Sequence, residues 1–210
     1  MNAEEILPIL ILQLRNNFAL TEAETTIISQ SQIYGGAYSG TVECFKKGNN
    51  KYFSEEKGLS PFNSVMYTNY LYQVSHLLYK GGHSEIADKV YYLNKMLNAV
   101  DLFYAIELPE HWNCEHPLGS IMGRAKYGDY FFFYQGCTIG GNHTDYPVLG
   151  NHVTMYSNSK VLGKSHIGNN VIIGANAYVK DTDIPDNSMV FGEFPKLIIK
   201  PNKNSDVMWN

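Results

Sequence analysis

Cysteine is scarce in this 210-residue chain: Cys44, Cys114 and Cys137 stand far apart, without the short spacings of a zinc site or a disulfide framework. Free thiols in a reducing cytosol are the expectation. Positive charge is also in short supply. Sixteen Lys and Arg against twenty Asp and Glu leave a formal charge of −4 and a pI near 6.0. That balance excludes a dedicated nucleic-acid or anionic-membrane binder. No long hydrophobic run is present. Residues 6–14 are apolar, but Pro8 interrupts them and Glu4 and Glu5 precede them. Neither a secretory leader nor a membrane span, which needs about 20 apolar residues, is expected, so the protein reads as soluble and cytoplasmic. Charged residues amount to only 17%, whereas 44% are apolar and 16 Tyr and 10 Phe are present, which excludes disorder of the chain as a whole.

What is present falls into two halves with different periods. In the first, residues 3–18 are apolar nearly all round (Ile6, Ile9, Leu10, Leu12, Leu14, Phe18) and predict a packed helix. Thr21 and Glu24 have capping-box spacing ahead of a second helix at about 22–33. Residues 34–59, rich in Gly, Lys and Asn, predict a loop or ragged connection. Ser60-Pro61 reads as N-cap and first helical position. Behind it Phe62, Val65, Met66, Leu71, Val74, Leu77 and Leu78 recur at helical steps. Gly81-Gly82 ends that helix, and another is predicted at about 84–99, with Ile86, Val90, Leu93 and Leu97 inward.

From about residue 121 a period of six takes over. Ile121, Tyr127, Phe133, Ile139, then Leu149, Met155, Val161, Ile167, Ile173 and Val179 are all apolar or aromatic. Gly follows five of them (Gly128, Gly140, Gly150, Gly168, Gly174), as a residue suited to turn conformations that a side chain resists. Four residues on lies something small or β-branched: Ala125, Cys137, Val153, Ser159, Ser165, Val171, Ala177. Six residues hold one short strand and one turn, three such units make a triangular coil, and stacked coils bury the repeating aliphatic. An antiparallel sheet would favour period two. The step of ten from Ile139 to Leu149 inserts four residues, so roughly 141–146 should protrude as a loop, where function tends to sit on a rigid scaffold.

The repeat, together with EHPLGSIMGRAKYG (115–128), YQGCTIGG (134–141) and IGNNVIIGANAYV (167–179), resembles the hexapeptide-repeat acyltransferases, and among them serine O-acetyltransferase. The likeness runs from about residue 60 to 200 and includes SHLLYKGG (75–82). It implies an α+β protein: an α-helical region at about 1–106, a left-handed parallel β-helix at about 107–195, against the usual right-handed crossover, and a tail at 196–210. It also implies homotrimers, or dimers of trimers, with the active site between subunits, acetyl-CoA as donor and no metal. A metal site from His111, His116 and His152 would lack the order found in hexapeptide-repeat carbonic anhydrases.

The resemblance also assigns roles. Glu115-His116 occupies the place of the family's acidic residue and general base. Glu107 is the nearest counterpart of the carboxylate that orients the base, with Glu115 as the other candidate, although the intervening chain is about one hexad shorter here. Gly140 and Gly141 match the glycines where the oxyanion would meet backbone N–H groups. Ser157, Ser159, Ala175, Ala177 and Lys196 are the positional matches along the CoA groove. In the inserted loop, His143 could touch the acceptor. The family's Arg-His pair before the loop proline is replaced by Asp145-Tyr146, and a carboxylate there would repel the carboxylate of free serine. The family's C-terminal Ile is absent; the chain ends Met208-Trp209-Asn210. The expected function is therefore acetyl-CoA-dependent O-acetylation of a hydroxyl acceptor, a sugar of a surface polysaccharide or its precursor. Serine acetylation and a non-catalytic trimeric scaffold are the alternatives.

Overall fold

A computed structural model describes residues 1–203, 208 and 209. Five helices come first: α1 (Ala3–Asn17), α2 (Glu22–Ile28), α3 (Ser31–Lys47), α4 (Ser64–Lys80) and α5 (Ser84–Asn98). Short strands follow: β1 (Asp101–Leu102), β2 (Trp112–Cys114), β3 (Ile121–Met122), β4 (Phe131–Phe133), β5 (Thr138–Gly140), β6 (Val148–Leu149), β7 (Val153–Met155), β8 (Lys160–Leu162), β9 (His166–Ile167), β10 (Val171–Ile173), β11 (Tyr178–Lys180) and β12 (Asp183–Ile184). The longer β13 (Ser188–Glu193) and β14 (Lys196–Pro201) close the array as an antiparallel hairpin.

The helices start where side chains can satisfy orphan N–H groups. Asn2 and Thr21 each make a full capping box, with Glu5 and Glu24 respectively. Asn63 caps α4, accepting from the N–H groups of Val65 and Met66; Ser60 instead closes a turn by accepting from the Phe62 N–H, and the Phe62 ring lies in solvent. Leu97, expected inward on α5, is also exposed, and Ala87 and Asn94 are buried with Ile86, Val90 and Leu93. The larger correction is α3, which occupies much of the expected loop. Its glycines explain both the misreading and the helix. A Cβ at Gly36 would stand 3.4 Å from Leu77 and one at Gly40 3.5 Å from Gln73. Small residues let α3 lie close against α4, and the burial of Ile33, Ala37, Thr41, Cys44 and Phe45 outweighs weak helix propensity.

The strands pair in parallel into three ladders. One runs β2–β4–β7–β10–β13, the second β1–β3–β5–β8–β11–β13, and the third β6–β9–β12, extended by a bridge from Lys126 to Val148. Thr154 pairs with Ile172 and Lys160 with Tyr178, eighteen residues on, so one coil takes three hexads. Thr138 pairs with Lys160, twenty-two residues on, because the coil between them carries the four inserted residues. This is the stacked three-sided coil that the six-residue rhythm implied, and the left-handed β-helix that the family resemblance implied. Nine of the ten repeat positions are buried, from Tyr127 to Val179. Ile121 is the exception. It faces outward at 46% exposure, and Met122, paired with Ile139, fills the axis instead.

Four of the five glycines after the repeat residues (Gly128, Gly150, Gly168 and Gly174) act by close approach rather than by positive φ. A Cβ on Gly128 would lie 2.3 Å from the backbone of Gly150, and one on Gly150 2.8 Å from that of Gly168. The left-handed conformations fall two residues later at that corner, on Tyr130, His152 and Asn170. Gly128→Ala is accordingly expected to destabilise by about 1–3 kcal/mol through overpacking. Gly140→Ala, whose Cβ meets only the Leu162 side chain at 3.5 Å, should stay within about 0.5 kcal/mol of the parent. Denaturant midpoints of the two variants check this.

Trp112 joins the two halves. Fully buried, it stacks on Phe133 of the next coil at 6.2 Å and meets Tyr72 of α4 edge-on at 5.4 Å. The Tyr72 hydroxyl donates to the Ile106 carbonyl at 2.7 Å and accepts from the Leu108 N–H at 3.1 Å. The three cysteines are free and buried. Among the described residues no helix is long and apolar enough to cross a membrane.

Candidate active site

The corner between the first and second faces shows where the solenoid departs from its own rule. Four residues link β4 to β5, β7 to β8 and β10 to β11, but six link β2 to β3. The additional length contains Glu115 and His116. His116 projects from this corner at a φ of +50°, uncommon for a residue other than glycine. Such a conformation persists only where the surroundings hold it. Here the Glu115 N–H donates to the Phe133 carbonyl at 3.0 Å, Gly119 N–H to Ala99 at 2.8 Å and Gly136 N–H to Leu118 at 2.9 Å. Buried Ser120 pins the corner from inside, donating to the Tyr134 carbonyl at 2.8 Å and accepting from the Cys137 N–H at 3.2 Å. The imidazole is exposed and makes no hydrogen bond to another described residue.

The two carboxylates proposed to orient it are placed differently. Glu107 spends one oxygen on Lys80 Nζ at 2.8 Å and the other on His76 Nε2 at 3.6 Å. The Lys80 hydrogen bond holds its carboxyl below the usual range. Glu115 adjoins His116 and lies on the next coil from Tyr134, whose hydroxyl is pushed up to about 12 by burial and then by the negative charge of Glu115. That phenol stays protonated, a donor. It stacks on Tyr156 one coil further on, at 5.1 Å.

The inserted loop forms a tight hairpin at the opposite edge of the second face. Asn142 and Asp145 exchange backbone hydrogen bonds of 2.9 and 3.1 Å, and His143 takes the tip at a φ of +55°. A Cβ on Gly141 would collide with the Tyr146 ring at 2.3 Å, so this glycine makes room for the tyrosine. A residue that sequence reading missed completes the group. The Arg124 guanidinium lies over the Tyr146 ring at 5.9 Å and donates to its hydroxyl at 3.3 Å. It comes from the preceding coil, twenty-two residues back, so no local motif announces it. It sets a positive charge beside Asp145-Tyr146 and so offsets the electrostatic objection to an anionic acceptor.

Of the expected CoA-groove residues, Ser157 and Ala175 lie at the surface of the His116 corner, while Ser159 and Ala177 are fully buried beneath it, so their side chains serve packing. Cys137, one coil earlier in that column, contacts Ser159 Oγ at 3.6 Å. Lys196 is exposed at the start of β14. His166 pairs with Asp183 at 2.8 Å, and His111 with Asp129 at 2.8 Å. His111, Tyr130 and His152 stack in a column at 4.9 and 4.5 Å. Among the described residues no group of three or more His, Cys, Asp or Glu is placed to hold a metal ion.

A parallel three-faced prism with hexad periodicity, a protruding loop and a histidine-bearing corner defines a hexapeptide-repeat transferase, and residues 146–181 match the model of the bacterial transferase hexapeptide (six repeats). The chain is 31% identical over 134 residues to a serine acetyltransferase of Helicobacter pylori, a match covering 61% of this chain and 78% of that protein. It belongs to the serine acetyltransferase family. A serine acetyltransferase of Synechococcus elongatus is 33% identical over 126 residues; there the match covers 58% of this chain but only about half, 51%, of the relative's length. Among solved structures, serine acetyltransferase from Brucella abortus superposes with a TM-score of 0.73 at 16% identity, covering 95% of this chain and 83% of that one. The same enzyme in complex with coenzyme A gives 0.72 at 16%, covering 96% and 82%. At that identity the likeness is one of fold.

Proposed function

We propose that the chain transfers an acetyl group from acetyl-CoA to a hydroxyl acceptor, with His116 as the general base. The observation that carries this is the two-residue expansion that lifts a left-handed histidine out of an otherwise regular corner. A hydroxyl is a weak nucleophile until its proton is taken. As the alcohol oxygen attacks the thioester carbonyl, the imidazole accepts its proton. The oxyanion then collapses, expelling the CoA thiolate, which takes that proton from the imidazolium and leaves as the thiol. Backbone N–H groups at Gly140 and Gly141 are the candidates to meet the oxyanion.

His116 and the 141–146 loop flank opposite edges of the second face, whose strands hold two or three residues. At about 3.3 Å per residue, the edges lie on the order of 10 Å apart. A loop from a neighbouring copy, as in a homotrimer, would bring acceptor groups to the base. Acetyl-CoA as donor is supported by the coenzyme A complex of the Brucella relative.

For the acceptor, the relatives named above support serine over the carbohydrate expected from Asp145-Tyr146, and Arg124 supplies a cation for its carboxylate. The test is thiol release from acetyl-CoA with serine and a panel of sugars. Acceptor-dependent release is the expected outcome, and none with any hydroxyl compound would return the chain to a scaffold role. The carbohydrate reading retains one specific support, a cavity beside Glu115.

A further inference from the structure

On the outer side of the first face, next to the His116 corner, lies a cavity of about 310 Å³. The 48–52 loop after α3 forms one wall, Met208 a second, and Asn113, Glu115 and Phe132 the floor. Its shape is fixed by backbone bonds: Asn49 N–H donates to the Met208 carbonyl at 2.9 Å, and Gly48 bridges to Trp209. The floor carries the Asn113 amide, half of which is committed to the backbone. Asn113 is only 2% exposed, and its Oδ1 accepts from the Cys114 N–H at 2.9 Å. Its Nδ2 has no hydrogen-bond partner among the described residues and borders the cavity. That donor is not one of the fully buried polar atoms left without a partner; it opens onto the cavity, where a ligand can accept from it.

We propose that this cavity seats a hydroxylated ring, so that the acceptors of this transferase extend beyond serine to the carbohydrate class. The inference rests on the acetyl-transfer reading and adds an acceptor to it. Size argues first. At about 30 Å³ per water, the cavity has room for roughly ten water-sized groups. A pyranose of about twelve non-hydrogen atoms matches that better than serine, with about seven. Chemistry argues second. The Asn113 and Asn50 amides and the Glu115 carboxylate offer the mixed donors and acceptors that vicinal hydroxyls need, since each hydroxyl both gives and takes a hydrogen bond. Phe132 and Tyr52 offer flat apolar surface for the C–H face of a ring. Glu115 borders the cavity and directly precedes the proposed base His116, so the cavity opens beside that corner.

The experiment reads binding apart from catalysis. Ligand-observed NMR on the full-length His116→Asn protein would compare methyl glucopyranoside and methyl N-acetylglucosaminide with L-serine. The expected result is saturation transfer to glycoside ring protons, at an affinity at least tenfold above that for serine. Tyr52→Ala, a change at an exposed side chain, should weaken glycoside binding at least threefold, and Asn113→Ala should do so more strongly if that variant folds. The inference is overturned if serine binds as tightly as both glycosides, or if glycoside binding survives Tyr52→Ala unchanged. Failure of the acetyl-transfer reading looks different: glycosides would bind, but no acceptor would release thiol in the parent protein.

Discussion

His116→Asn is expected to abolish most acetyl transfer, lowering turnover about 10²–10⁴-fold while leaving the melting temperature within a degree or two. In barrier height this is about 3–5 kcal/mol, the usual worth of a positioned general base. Asparagine is the better replacement because it tolerates the left-handed backbone that position 116 adopts at a φ of +50°. Alanine would add backbone strain and confuse lost chemistry with a relaxed corner. If the imidazole is the base, both variants lose activity equally, and thiol release from acetyl-CoA under saturating acceptor measures it. Retention of a third or more of the parent rate by the Asn variant would remove His116 from the mechanism.

The largest expected effect on stability belongs to Trp112→Ala, a loss of about 3–5 kcal/mol. The indole closes the helical end of the solenoid core, between Phe133 below and Tyr72 above. Neither neighbour can follow it into the gap. Phe133 is held in the β4 ladder, and the Tyr72 hydroxyl is bonded to Ile106 and Leu108. The cavity therefore stays open, the condition under which large-to-small substitutions cost most. Urea or guanidinium unfolding of parent and variant decides the matter, and a loss under about 1.5 kcal/mol would show that the helices slide in to fill the space. Trp112→Phe should recover much of the difference.

How much of this was legible in the sequence depended on whether the signal was periodic. The six-residue rhythm fixed nine inward positions, because each coil repeats the same corner geometry. It misplaced Ile121, since the coil from Met122 to Ile139 is one residue short of eighteen and a fixed step cannot register a deletion. The helix α3 was illegible for the opposite reason. Its glycines are unfavourable locally and useful only once α4 lies against them. At the site, Glu115-His116 could be found because the pair is contiguous. Arg124 over Tyr146, the free amide of Asn113 and the cavity above it could not, because each arises between segments brought together by stacking.

The ladder also sets a vertical scale. His116 follows β2 and the 141–146 loop follows β5, so the proposed base stands one rung above the loop's coil, about 4.8 Å along the axis. Adding whole coils beyond β9 would lengthen the prism without altering that offset. An added or deleted coil between β2 and β5 would move the base a full rung from its loop. Length at the far end is free to drift in evolution or design, whereas on the proposed chemistry the interval near the helices is not.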